Sequence, residues 1–305
     1  MKNAIKIMAA TVAFVFAFTA FADTEKVGNY TWTYKVYNDD TVEIYNDGNA
    51  AVSPLPTGSL TLPSLLGGKS NIRLGANIFM GCSGLKNVTI PASVTFIHNN
   101  AFTDCSGLES FFVVGSNFES STYGLLLSAD GKKLIHGVNG NVVIPDGVES
   151  IGWDAFDRLS NLTSVTIPSS VTSIGGCAFY KCTALKRVEI PDGVANIWSR
   201  TFYGCTSLKD VYMSDSVTNI ADRAFVGCTS LSSVHIPREV KSIGDRAFDG
   251  AGLTEVHFDG RAGEIDADFN SAFTNTYYRA AVNANDDFAS AKSDFLRIDG
   301  DRRFG

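Results

Sequence analysis

The chain has 305 residues, 45% of them hydrophobic, and a formal net charge of −7 at pH 7. That hydrophobic content belongs to a folded protein, and the length would admit two domains unless one axis organises the whole chain. The acidic balance, with no basic run longer than Arg302-Arg303, excludes nucleic acid and anionic membrane as partners.

Lys2 and Lys6 precede a run from Ile7 to Phe21, and Ala20-Phe21-Ala22 has the small-x-small form of a cleavage site. These are the parts of a secretory signal peptide over residues 1–22. The run is shorter than the ~20 apolar residues that span a bilayer, and no later segment is apolar enough to span one. The mature protein is therefore expected to be exported: secreted, periplasmic or at the cell surface, with no transmembrane segment.

Residues 23–60 alternate β-favouring side chains in Tyr30 to Tyr37, turn at Asn38-Asp39-Asp40, and alternate again in Thr41 to Tyr45. This pattern predicts a β-hairpin. Its expected task is to cover the apolar end of the segment that follows; Trp32 and Tyr34 could instead form a ligand platform.

From residue 61 a unit repeats. Its phenylalanines are Phe79, Phe102, Phe156, Phe179, Phe202, Phe225 and Phe248, with gaps of 23 residues except for one of 54. A fixed period of this length signals a solenoid, because each coil must offer its neighbours the same buried positions. Leu185-x-x-Val188-x-Ile190 and its equivalents place alternate residues on the inner face of a strand. Pro91, Pro168, Pro191 and Pro237 end that strand, since proline has no N–H to continue it. A second extended piece follows, carrying pairs such as Val171 and Ile174. Asp222-Arg223-Ala224-Phe225 and Asp245-Arg246-Ala247-Phe248 then read as short helical turns with an Asp cap, with a left-handed glycine where each turn ends. In the 54-residue gap, Ala129-Asp130-Gly131 between apolar runs predicts an enlarged coil at 114–141 with a protruding hairpin. Periodicity is expected to end at Val256 and Phe258. Residues 259–305 form a C-terminal cap, with a helix over Asn285 to Phe295.

Cys82, Cys105, Cys182, Cys205 and Cys228 share one repeat position. A column of single thiols cannot converge on zinc, and parallel side chains oppose disulfides, so the reading is buried thiols. Cys177 sits elsewhere in its coil and is expected to be the reactive one. No nucleophile elbow, H-E-x-x-H or phosphate-binding glycine loop is present, so the chain is read as no enzyme, with no cofactor and no metal site.

The unit I-P-x-x-V-x-x-I-x-x-x-A-F-x-x-C-x-x-L, as it stands from Ile167-Pro168 to Cys182 and Leu185, resembles the BspA-like subtype of the leucine-rich repeat over residues 60–258. The Asn ladder of the general leucine-rich repeat is missing throughout, so backbone groups at that bend need other partners. The resemblance implies an α/β solenoid, strand-rich, a right-handed stack of about eight 23-residue coils with short helical turns. Family members are typically surface or secreted proteins implicated in adhesion and host interaction, and they dock ligands on the sheet face.

On that face the outward positions are Thr89, Thr166, Glu189, Tyr212, His235 and His257, beside Arg187, Asp210, Ser233 and Glu255. The candidate ligand-binding residues are Arg187, Glu189, Asp210, Tyr212, His235, Glu255 and His257. The expected function is an exported, non-enzymatic protein holding a protein or glycan partner through this face; the alternative is an envelope scaffold or spacer without a specific ligand. Trp153 and Trp198, in turns across the coil, are further candidates for sugar contact.

Overall fold

In the computed structural model, residues 22–46, 50–260, 265–274 and 279–282 are described. The leader up to residue 21 and the helix expected over Asn285 to Phe295 lie outside them. The described chain is a strand-rich β-solenoid of about nine stacked turns. Its coils repeat a strand, a bend, a second strand and a turn carrying the phenylalanine.

The first strands pair in parallel with the next coil. They form the groups Gly58–Thr61, Leu85–Pro91 and Ser110–Val114; Gly140–Val143 and Leu162–Thr166; Arg187–Ile190 and Asp210–Met213; and Ser233–Ile236, Glu255–Phe258 and Arg279–Val282. Their alternation does what the period-two pattern requires: Val188 and Ile190 are buried while Arg187 and Glu189 are exposed. The second strands make another parallel ladder, for example Asn196–Ile197, Asn219–Ile220 and Ser242–Ile243.

The phenylalanines stack. Phe156, Phe179, Phe202, Phe225, Phe248 and Phe273 lie ring on ring with centroids 4.9 to 5.3 Å apart, close to the spacing between neighbouring strands. Phe273 extends this spine beyond Phe258, where the sequence pattern stops, and Arg279–Val282 pairs with Glu255–Phe258. The extra turn escapes the period because Phe273 does not fall 23 residues after Phe248. At the other end Trp32 is 1% exposed and meets Phe79 edge-on at 6.3 Å. Tyr34 is buried as well, so neither residue can be a ligand platform.

The helical turns are a correction. Arg223, expected inside one, has φ of 58°, and Asp154, Cys177, Arg200 and Arg246 at the same position lie between 54° and 58°. A left-handed residue cannot continue a right-handed helix. Alternate N–H groups of the turn bond to the next coil, Phe202 to Ala224 at 2.8 Å and Phe225 to Ala247 at 2.6 Å, while those between close turns within their own coil, as Ala224 to Ala221 at 3.3 Å. These turns are thus a third ladder between coils. Among the described residues the only α-helix is the single turn Phe269–Ala272, beyond the repeats that the sequence marks. The α part of the expected α/β class is therefore not found in the coils.

The partners that replace the Asn ladder are mostly thiols and hydroxyls, joined at the enlarged coil by the Asn139 and Asn161 amides, which donate to the Leu108 and Ser106 carbonyls at 3.0 and 2.8 Å. Cys182 Sγ donates to the Phe156 carbonyl at 3.1 Å, Cys205 to Phe179 at 3.1 Å and Cys228 to Phe202 at 3.2 Å. Thr206 and Thr229 hydroxyls donate likewise to Thr183 and Thr206 carbonyls one coil back. The five column cysteines are buried free thiols, and burial pushes the Cys228 thiol up to about 12.

The enlarged coil also departs from expectation. Its hairpin, Leu126–Ser128 with Lys133–His136, does not protrude: Phe118–Ser120, the hairpin and Ser150–Ile151 lie side by side in the second ladder. Leu125, Leu126, Leu127 and Leu134 are buried, which fixes the hairpin into the body. No phenylalanine joins the spine here. Gly137 lies against Phe156, while His136 packs edge-on to Phe102 and Phe111.

Candidate functional site

The seven candidate residues project from four first strands. Arg187–Ile190 pairs with Asp210–Met213 so that Arg187 lies opposite Asp210 and Glu189 opposite Tyr212. The outward direction follows from the burial of Val188, Ile190 and Met213 on the other face. Arg187 Nη2 donates to Glu189 Oε1 at 2.5 Å, with both side chains more than half exposed. Tyr212 is 62% exposed.

The second group is on Ser233–Ile236 and Glu255–Phe258. His235 lies opposite His257, and their rings stack at 4.5 Å with 12° between planes. His257 Nε2 is 3.3 Å from Glu255 Oε2, and His235 Nδ1 is 3.7 Å from Asp259 Oδ1. Asp259 was not among the sequence candidates; it follows the strand Glu255–Phe258 rather than lying within it.

The structure pairs Arg187 and Glu189 with Asp210 and Tyr212, and His235 with His257 beside Glu255, on adjoining strands. Asp210–Met213 and Ser233–Ile236 lie next to each other without ladder hydrogen bonds between them, so the column continues across the two pairs. Exposed ion pairs of this kind contribute only ~0–1 kcal/mol each to stability, which leaves them free to serve recognition. Among the described residues no group of three His, Cys, Asp or Glu is placed to hold a metal ion.

Sequence reasoning missed two members of the outward column. Phe112 lies opposite Thr89 and is 55% exposed, and Val143 lies opposite Thr166 and is 39% exposed. The signal was present: Phe112 is one 23-residue period after Thr89. The irregular enlarged coil hid it. The face is therefore polar at Thr89, apolar at Phe112 and Val143, and charged or aromatic from Glu189 onward.

A cleft of about 360 Å³ on the third ladder is lined by Asp154, Asp157, Cys177, Tyr180, Arg200 and Tyr203, among others. Tyr180 and Tyr203 stack there at 5.0 Å. Burial, with Asp154 and Asp157 nearby, pushes the Cys177 thiol up to about 11. A thiol held protonated at neutral pH is a poor nucleophile, so the expected reactivity of Cys177 is not supported.

Residues 58–124 and 139–254 match the family model of the BspA type leucine rich repeat region, in six copies. No curated protein matches the chain. Among solved structures, the chain is similar to a leucine-rich repeat protein of T. pallidum, at 25% identity over 72% of this chain and 86% of that one, with a TM-score of 0.41. It is similar to the pneumococcal vaccine antigen PcpA at 14% identity, over 89% and 96% of the two chains, with a TM-score of 0.42. A leucine-rich cell surface protein of Faecalibacterium prausnitzii A2-165 is 20% identical, over 92% and 99%, with a TM-score of 0.31. With TM-scores under 0.5, these likenesses carry no argument about function.

Proposed function

The chain belongs to the BspA-type leucine-rich repeat family, and from that premise we propose that it is an exported, non-enzymatic binding protein that holds a protein partner on the outward face of its first strands. The observation that carries this reading is the exposure of Tyr212 and Phe112 on one outward column, at 62% and 55%. A solvated sheet face needs polar residues there, and leaving large aromatic area in water forgoes about 25 cal/mol per Å². Two exposed aromatics four coils apart, with Arg187, Glu189 and Asp210 beside Tyr212, supply apolar anchors and a polar rim for a protein interface.

Export rests on the leader of residues 1–22, with Lys2 and Lys6 before the apolar run. No helix among the described residues is long and apolar enough to cross a membrane. In this reading, residues 23–60 and 259–305 close the two ends of the stack, as terminal units of a solenoid must.

The test is capture of partners from extracellular extracts of the cells or host tissue that the protein meets, with the purified chain as bait. Tyr212→Ala combined with His235→Ala should deplete at least one partner ~10-fold or more, the loss expected when an interface anchor is removed. Both side chains are exposed, so the fold should survive, which circular dichroism checks. An unchanged set of captured partners would remove the face from consideration and leave the spacer reading.

A further inference from the structure

Trp153 and Trp198 stand directly after the second ladder, two coils apart, yet their rings meet at 6.5 Å with 36° between planes. They are 52% and 41% exposed. What lets them meet is the coil between, which carries Gly175-Gly176. A Cβ on Gly176 would lie 2.6 Å from the Trp153 ring. The positions equivalent to Trp198 in the two coils on either side are Gly152, Gly175, Ala221 and Gly244. Small residues thus make a trough with two indoles as its wall.

A cleft of about 450 Å³ runs from these rings across the neighbouring coils, within the ~300–1,000 Å³ range of small-ligand sites. Besides the tryptophans it is lined by Asn219, Asp222, Asp266 and Asp268, with no Lys or Arg among the described lining residues. Asp222 Oδ1 accepts the Asp245 N–H at 3.0 Å, which fixes that carboxylate.

We propose that this cleft binds a neutral oligosaccharide. The outer faces of the indoles offer a flat, electron-rich platform for the apolar C–H face of a pyranose ring. The carboxylates and the Asn219 amide accept hydroxyl protons. The three carboxylates of the lining disfavour uronate or sulfated sugars by like-charge repulsion. An organic ammonium fits less well: rings in contact at 6.5 Å cannot close around a cation as an aromatic cage does. The cleft spans the coils from Trp198 to Asp268, about 14 Å at one strand spacing per coil, which suits a short chain of sugars better than one ring. This site shares no residue with the outward face of the first strands and does not rest on that reading.

The test is to screen the full chain on an array of neutral and anionic oligosaccharides, then titrate the strongest binder while following tryptophan fluorescence. Trp32, the third tryptophan of the sequence, is 1% exposed, so the response reports the two cleft rings. Expected is saturable binding of a neutral glycan, weakened ~10-fold or more in Trp153→Ala and in Trp198→Ala. Gly176→Ala, which displaces the Trp153 ring without removing it, should weaken it too. Tyr212→Ala with His235→Ala should leave it unchanged. The proposal is overturned if no neutral glycan binds, if binding survives in the tryptophan variants with folding intact, or if only anionic glycans or tetramethylammonium bind.

Discussion

Asp157 is a carboxylate that the fold buries. It is 9% exposed, accepts a hydrogen bond from the Thr103 hydroxyl at 3.1 Å and has Arg158 Nε at 3.7 Å. Burial raises its pKa from the usual 3.8 to about 6. The folded protein therefore holds a proton on Asp157 where the unfolded chain has released it, and stability falls as pH rises from about 4 to about 6. Asp157→Asn removes that ionisation and can still accept from Thr103. Its stability should match wild type near pH 4 and exceed it by roughly 1–3 kcal/mol above pH 7. Urea melts at the two pH values check this; a difference that does not change with pH refutes it. His136 works the other way. Burial between Phe102 and Phe111 lowers its pKa to about 4, so its contribution is intact above 6.5 and is lost as pH falls toward 4. Neither environment was legible in the sequence, because each arises from residues one or more coils away.

At the scale of an element, the enlarged coil decides how the spine is divided. Phe79 and Phe102 stack at 4.9 Å, and the stack resumes only at Phe156. Gly137 occupies the gap, and a Cβ there would come 2.0 Å from the Phe156 ring. Its backbone is not left-handed, so Gly137→Ala tests packing alone. The substitution should cost about 1–3 kcal/mol by overpacking, read as a lower denaturant midpoint. An unchanged midpoint would mean that the Phe156 ring moves freely aside. The hairpin's existence was readable from Ala129-Asp130-Gly131, but its place in the second ladder was not. Burial of Leu126 and Leu134 needs the neighbouring Ser150–Ile151 strand, which only the stacked coils supply.

Over the whole molecule, stability propagates from coil to coil, since each coil touches mainly its neighbours. Phe273 is fully buried on Phe248 at 4.9 Å. Phe273→Ala should cost ~3–5 kcal/mol in the last coils. Hydrogen exchange should show that loss over residues 233–274 and leave residues 71–113 protected as before. Equal loss of protection at both ends would mean that the solenoid opens as one cooperative unit.

The sequence by itself determined the period, the inward identity of Phe, Val, Ile, Leu and Cys, and the outward column from Glu189 to His257. These follow from spacing, because a repeated coil buries the same positions each time. The tertiary structure decided the rest. Left-handed residues such as Arg223 turned expected helices into a ladder, since they break the right-handed helical path and turn alternate N–H groups toward the next coil. The cysteines became donors to phenylalanine carbonyls that a single unit does not contain. Trp153 and Trp198, two coils apart in the sequence, became neighbours because Gly175 and Gly176 put no side chain beside the Trp153 ring in the intervening coil.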